Sequence, residues 1–194
     1  MRIESLRQRL QALGANPRHV HRVLRLWSQA LPQNHGSRPV ENFLPTTLRA
    51  ALPEIERELA GLTTLVSEHP GEDGSQRLVV ALHDGQLVES VLLPPGRIPA
   101  LCVSTQVGCA VGCVFCMTGT TGLIRQLGSA EIVAQVALAR QRRPVKRVVF
   151  MGMGEPAHNL DNVLEAIDLL GTAGNIGHKN LVFPPSVTRV CSRP

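Results

Sequence analysis

The sequence predicts an α/β chain: a small helical N-terminal domain over residues 1–60, a linker and β-hairpin over 61–99, and a partial (β/α) barrel over 100–183. Three observations carry this. Apolar residues recur at helical spacing up to about residue 60 and in β-rich runs from Arg77 onward. From Ala100, strands and helices alternate, which is the pattern of a parallel sheet with helical crossovers. Only about two and a half such units are present, fewer than a closed barrel requires.

In chain order, residues 3 to 30 read as helix. Leu6, Leu10 and Leu13 share one face, Gly14 breaks it, and Val20, Val23, Leu24 and Trp27 form a second apolar stripe. Pro32 to Pro39 is a loop of Pro, Asn, Gly and Ser. Thr46 to Glu58 reads as a third helix. Arg77 to His83 and Leu87 to Leu93 are strands joined by Asp84-Gly85-Gln86, a hairpin signal closed by Pro94, Pro95 and Gly96. A strand from Ala100 to Gln106 leads into a cysteine loop. Ser129 is expected to cap a helix over about Ala130 to Gln141, with Glu131 early in it. Arg147 to Met151 is a buried-type strand. A helix starting at Asn159 or Leu160 carries Val163, Ala166, Ile167 and Leu170, and Asn180 to Phe183 begins another strand.

Composition narrows the function classes. Hydrophobic residues make up 43% and charged residues 18% of 194, a globular balance. No apolar run is long enough to span a bilayer, and MRIESLRQRL carries no apolar signal core, so a cytoplasmic location and no membrane partner are expected. The formal net charge is +5, nearly all of it from arginine. Positive charge favours nucleic acid or another anionic partner, and a mildly basic balance is also common among bacterial proteins. Arg18, Arg22 and Arg25 lie on one helix and could form a phosphate footprint; a solvated helix face is the simpler reading.

Four of the five cysteines, Cys102, Cys109, Cys113 and Cys116, fall within fifteen residues. In a cytosolic chain such a group points to metal binding or catalysis rather than disulfides. Cys109, Cys113 and Cys116 have C-x3-C-x2-C spacing on a glycine-bearing loop after a strand. Three thiolates can hold three irons of a [4Fe-4S] cubane, leaving the fourth iron for an exogenous ligand such as S-adenosylmethionine. A structural zinc site using all four cysteines is the competing reading, although zinc ribbons favour paired C-x2-C knuckles and only one such pair exists. Downstream, Met151-Gly152-Met153-Gly154-Glu155-Pro156 follows a strand. Its glycines allow close approach to the backbone, and Glu155 offers a carboxylate to an ammonium group where parallel sheets place ligands.

At these two motifs the sequence resembles the RlmN/Cfr family of radical S-adenosylmethionine RNA methyltransferases. The resemblance runs from about Leu78 to Leu181. It is most specific at Leu101-Cys102-Val103-Ser104-Thr105-Gln106-Val107-Gly108-Cys109, at Phe115-Cys116-Met117-Thr118-Gly119 and at Gly152-Met153-Gly154-Glu155-Pro156. It implies methylation of an adenine of ribosomal RNA, or of transfer RNA in some members. It also implies a [4Fe-4S] cluster, S-adenosylmethionine and an electron donor such as a flavodoxin. Cys109, Cys113 and Cys116 would hold the cluster, and Gly154 and Glu155 would contact S-adenosylmethionine. Glu89 would accept a proton. Cys102 would be the resolving cysteine, forming a transient disulfide with a methyl-carrying cysteine nearer the C-terminus. Without the family, Glu89 reads as a solvated strand residue and Cys102 as a small buried hydrophobe. The alternatives are a radical enzyme acting on another substrate and a non-catalytic zinc- or RNA-binding fragment.

The sequence departs from the family pattern in three places. Gly112 and Met117 stand where many members have an acid and a serine. Pro184 and Pro185 replace a Ser-Thr turn. A one-nucleotide frameshift after Phe183 would explain the last departure. Codons TTT TCC ACC GTC GGT GAC CCG CGT encode Phe-Ser-Thr-Val-Gly-Asp-Pro-Arg; losing one T turns them into Phe-Pro-Pro-Ser-Val-Thr-Arg, which is Phe183 to Arg189. Residues 184–194 would then be an aberrant tail, Cys191 would not be the methyl-carrying cysteine, and this chain would not complete methyl transfer. Sequencing the gene region tests this: absence of a family-like open frame downstream excludes it.

Overall fold

The computed structural model describes residues 1–36 and 40–183. The tail from Pro184, with Cys191 and the frameshift expectation, lies outside them. Three helices open the chain: α1 (Ile3–Ala12), α2 (Pro17–Ser28) and α3 (Thr46–Ala60). Gly14 separates the first two with φ at +83°, a conformation that suits a residue without Cβ. Asn16 then starts α2. Its side chain accepts from the Arg18 and His19 N–H groups, His19 Nδ1 reaches back to the Asn16 N–H, and Pro17 fills a position needing no donor.

Three antiparallel strands follow, β1 (Thr63–Pro70), β2 (Gln76–Leu82) and β3 (Leu87–Leu92). The β2–β3 hairpin turns where Asp84-Gly85 signals it, with Gly85 at φ +82°. β1 lies in a stretch that the sequence left as linker. It is an edge strand, its outer positions are mostly exposed, and it ends in a proline. Such a strand gives little apolar signal.

β4 (Ala100–Cys102) pairs antiparallel with β3 and parallel with β7 (Arg147–Val149), which pairs parallel with β8 (Leu181–Val182). The six-stranded order is β1-β2-β3-β4-β7-β8. The expected single strand from Ala100 to Gln106 is divided. After β4 the chain bends at residues 103–105, and β5 (Gln106–Gly108) pairs with β6 (Leu123–Gln126) as a separate two-stranded ribbon. The crossovers are α4 (Ser129–Arg140) and α5 (Leu160–Thr172). The parallel portion is therefore an open, partial (β/α) arrangement.

α4 is buried from Ser129 through Ala139. It packs against β1, α2 and α5, and an element buried on every side shows no amphipathic stripe. Ser129 does not cap it. Gly128 occupies the cap position, and Glu131 reaches back to the Gly128 N–H at 2.7 Å. The Ser129 hydroxyl instead accepts from the Ile3 N–H at 2.8 Å and donates to Glu165. Glu165 also accepts from the Glu4 N–H, so α1 is bolted onto α4 and α5. One apolar core runs from Ile3 to Ile176. Among the described residues, no helix is long and apolar enough to cross a membrane.

Candidate functional site

The cysteine loop hangs from the tip of the β5–β6 ribbon. The Cys109 N–H bonds to the Gly122 carbonyl at 3.0 Å and closes the neck of the loop. Gly108, at φ +74°, packs against that carbonyl so closely that a Cβ would collide with it. The Cys116 N–H bonds to the Cys113 carbonyl at 3.0 Å, and the loop continues through a short 3-10 turn, Met117–Gly119. Cys109, Cys113 and Cys116 are each half-buried. Their neighbours Val114, Phe115 and Met117 are 79%, 75% and 80% exposed, an apolar lip around the thiols.

Among the described residues, no three His, Cys, Asp or Glu side chains converge on a single-ion position. Cys102 sits in the main sheet, opposite Val91 of β3 and Val149 of β7. A cubane distributes three thiolates over three different irons, and C-x3-C-x2-C spacing on one loop offers three thiolates to such a group. Soft sulfur donors on a glycine-relaxed loop fit an iron–sulfur cluster.

The glycine-rich turn after β7 is sewn to the segment that feeds this loop. The Gly152 N–H bonds to the Val103 carbonyl at 3.0 Å, the Thr105 N–H to the Met153 carbonyl at 2.9 Å, and the Met153 N–H to Ser104 Oγ at 2.9 Å. A Cβ on Gly152 would lie 2.7 Å from the Val103 carbonyl, and one on Gly154, at φ +95°, would strike the Gln106 side chain. The Glu155 N–H donates to Gln106 Oε1 at 2.8 Å. One Glu155 carboxylate oxygen accepts from the Ala157 N–H at 3.1 Å and caps the turn that follows.

Glu89, on β3, forms an ion pair with Arg77 at 3.1 Å. It lines a cleft of about 670 Å³ together with Gly108, Met117, Thr118 and Met153. One cleft thus gathers the sequence-identified carboxylate, the base of the cysteine loop and the glycine-rich turn. Gly154 and Glu155 follow Met153 directly. Of the sequence-identified site residues only Glu89 lines this cleft; Cys109, Cys113, Cys116, Gly154 and Glu155 do not, and Cys102 stays half-buried in β4. Burial raises its thiol pKa, and a backbone hydrogen bond from Met151 pulls the other way.

Sequence reasoning missed the residues that hold these parts together. Gln135, in the middle of α4, accepts from Ser90 Oγ and from the Ser104 N–H, each at 2.9 Å, and donates to the Ser104 carbonyl at 3.0 Å. Ser104 Oγ donates to the Glu89 carbonyl at 2.6 Å while accepting from Met153. Asn159 donates to the Thr105 and Leu127 carbonyls at 2.8 and 2.7 Å. All of Ser90, Ser104, Gln135 and Asn159 are buried. The signal was available: Gln135 is an amide in an otherwise apolar helical run. The proposed phosphate footprint is only partly exposed. Arg22 donates to the Gln33 and His35 carbonyls and stacks over Phe43 at 5.0 Å, while Arg18 is exposed.

The profile of the Radical SAM superfamily matches residues 103–189, which take in the cysteine loop, the glycine-rich turn and part of the tail. Over these residues the chain is similar to the radical S-adenosylmethionine superfamily. Members of this superfamily generally use S-adenosylmethionine and a [4Fe-4S] cluster. The chain is 69% identical over 183 residues to a probable RNA methyltransferase of Azoarcus sp. (strain BH72), covering 94% of this chain and 52% of that protein. It is 72% identical over 183 residues to one of Methylibium petroleiphilum, covering 94% and 51%. A crystal structure of a radical SAM methyltransferase from Sphaerobacter thermophilus superposes with a TM-score of 0.71 at 33% identity, over 93% of this chain and 54% of that one. The chain spans about half the length of the curated relatives it matches.

Proposed function

We propose that this chain is the cluster-bearing N-terminal half of a radical S-adenosylmethionine methyltransferase acting on an adenine of ribosomal or transfer RNA. The observation that carries the reading is the single cleft onto which the base of the cysteine loop, Met153 and Glu89 all open. Cys109, Cys113 and Cys116 would hold a [4Fe-4S] cluster that delivers one electron to bound S-adenosylmethionine. Gly154 keeps the backbone low enough for the cofactor to approach, and Glu155 offers its second carboxylate oxygen to the methionine ammonium group. The apolar lip of Val114, Phe115 and Met117 would exclude water from the reacting centre once cofactor and RNA cover it. Glu89 has the chemistry of a proton acceptor at the cleft wall, where Arg77 pairs with its carboxylate at 3.1 Å. Cys102 would resolve a protein–RNA adduct through a transient disulfide with a methyl-carrying cysteine other than Cys191. A flavodoxin-type donor would supply electrons. Names given to the relatives support the RNA substrate.

The test is anaerobic reconstitution. The chain should take up about four irons and four sulfides, and S-adenosylmethionine should alter the electron paramagnetic resonance spectrum of the reduced cluster. Cys113→Ala should abolish uptake. Undiminished iron in that variant overturns the cluster assignment, and a spectrum indifferent to S-adenosylmethionine overturns the cofactor assignment.

A further inference from the structure

The end of the sheet remote from the cleft carries a charge pattern that the cofactor chemistry does not use. No acid occurs between Glu131 and Glu155, while Arg140, Arg142, Arg143, Lys146 and Arg147 crowd into eight residues of that interval. β4, β7 and β8 run parallel, so the residues entering them share one end of the sheet, and the glycine-rich turn leaves β7 at the other. Arg97 precedes β4, Lys146 precedes β7 and Lys179 precedes β8. All three are exposed. Neighbouring strands lie about 4.8 Å apart, so three adjacent strand entrances make a row of cations on the order of 10 Å long. Beside the row is a concavity of about 320 Å³ lined by Arg140, Arg142, Arg143 and Lys146.

Arg140, Arg142 and Arg143 have structural partners, and Arg147 is half-buried with its Nε enclosed, which separates them from the row. Arg140 donates to the Ser28, Val145 and Gly174 carbonyls; burial lowers its pKa to about 10, and it stays charged at neutral pH. Arg143 donates to the Gly74 and Leu93 carbonyls, and Arg142 pairs with Glu68 at 2.8 Å. The acids at this end are Glu68, Glu72 and Asp73, near the β1–β2 turn. Among the described residues, Arg97, Lys146 and Lys179 make no side-chain ion pair. Cations held in a row without partners suit a regularly spaced polyanion, whose counterions they displace.

We propose that Arg97, Lys146 and Lys179 form a contact row for the phosphate backbone of a folded RNA, on the end of the sheet opposite the cofactor cleft. This rests on the RNA reading of the previous section and adds to it that the substrate must be large enough to reach both ends. The chain, with and without Arg97→Gln, Lys146→Gln and Lys179→Gln combined, is titrated with a ribosomal RNA transcript over a range of salt. The triple variant should bind about tenfold more weakly, and the slope of log K against log salt should fall by about 2 to 3, one contact per cation. Arg57→Gln, an exposed position on α3, should change neither. Iron uptake and the response to S-adenosylmethionine should be unchanged in the triple variant, which keeps this test separate from that of the cofactor site. Equal affinity and slope in parent and triple variant overturn the contact row alone. A parent chain that binds no RNA overturns the row and the RNA half of the functional reading together. Binding to anionic lipid vesicles but not RNA overturns it in favour of a membrane surface.

Discussion

At the scale of single residues, the buried amide of Gln135 does more to shape the site than any residue named from its motifs. Its two ends satisfy Ser90 and both backbone groups of Ser104, and Ser104 in turn touches Glu89 and Met153. Gln135→Leu leaves several buried partners unpaired and should destabilise the chain by about 2 to 4 kcal/mol, read as a lower urea midpoint. An unchanged midpoint means the network carries no weight. Cys109, Cys113, Cys116 and Gly154 stand out in the sequence as candidates because their spacing and chemistry are local. Gln135 does not, because its partners lie on β3 and on the 103–105 bend, far away in the chain. Ser104 stood inside a telling segment yet had no assignable role until Glu89 and Met153 closed around it.

At the scale of elements, the ribbon β5–β6 is anchored by charge. Arg125, on β6, bonds to Glu131 at 2.8 and 3.0 Å and to Asp84 at 2.6 Å, so the cysteine ribbon, the start of α4 and the β2–β3 turn meet at one guanidinium. His83 adds a further contact to Glu131 at 3.2 Å. Burial raises the Glu131 pKa, but the Arg125 hydrogen bonds and the Gly128 N–H outweigh it, and the net shift is below the ordinary 4.5. A carboxylate with a lowered folded pKa stabilises the fold above its unfolded value, and that contribution is lost as pH falls through the folded value. Acid titration should therefore leave the chain stable down to about pH 4.5 and weaken it below. In Glu131→Gln this acid dependence should be shallower; an identical acid profile in that variant contradicts the assignment. The sequence showed Glu131 as an early helical acid, but its partner Arg125 lay on a strand of four residues, too short for an alternation to be seen.

At the scale of the whole molecule, three helices, a meander and two crossovers share one core. The cysteine loop lies outside that core, on a ribbon paired only to itself. Cys109→Ser combined with Cys116→Ser should remove iron binding while shifting the melting temperature of the metal-free chain by less than about 4 °C, as expected of changes outside the core. A larger drop would show that the thiols support the scaffold. The alternation of strand and helix was readable because the two crossover helices run for 12 and 13 residues and short apolar runs separate them. The break between β4 and β5 was not, because Ala100 to Gly108 is apolar enough to pass for one strand. Only the hydrogen bonds of residues 103–105 to the glycine-rich turn show why it bends.

That placement would make a cluster bound there a replaceable part. A polypeptide that folds before loading would lose its irons to oxygen, keep its shape, and be refitted by the cell's assembly apparatus instead of being degraded and made again.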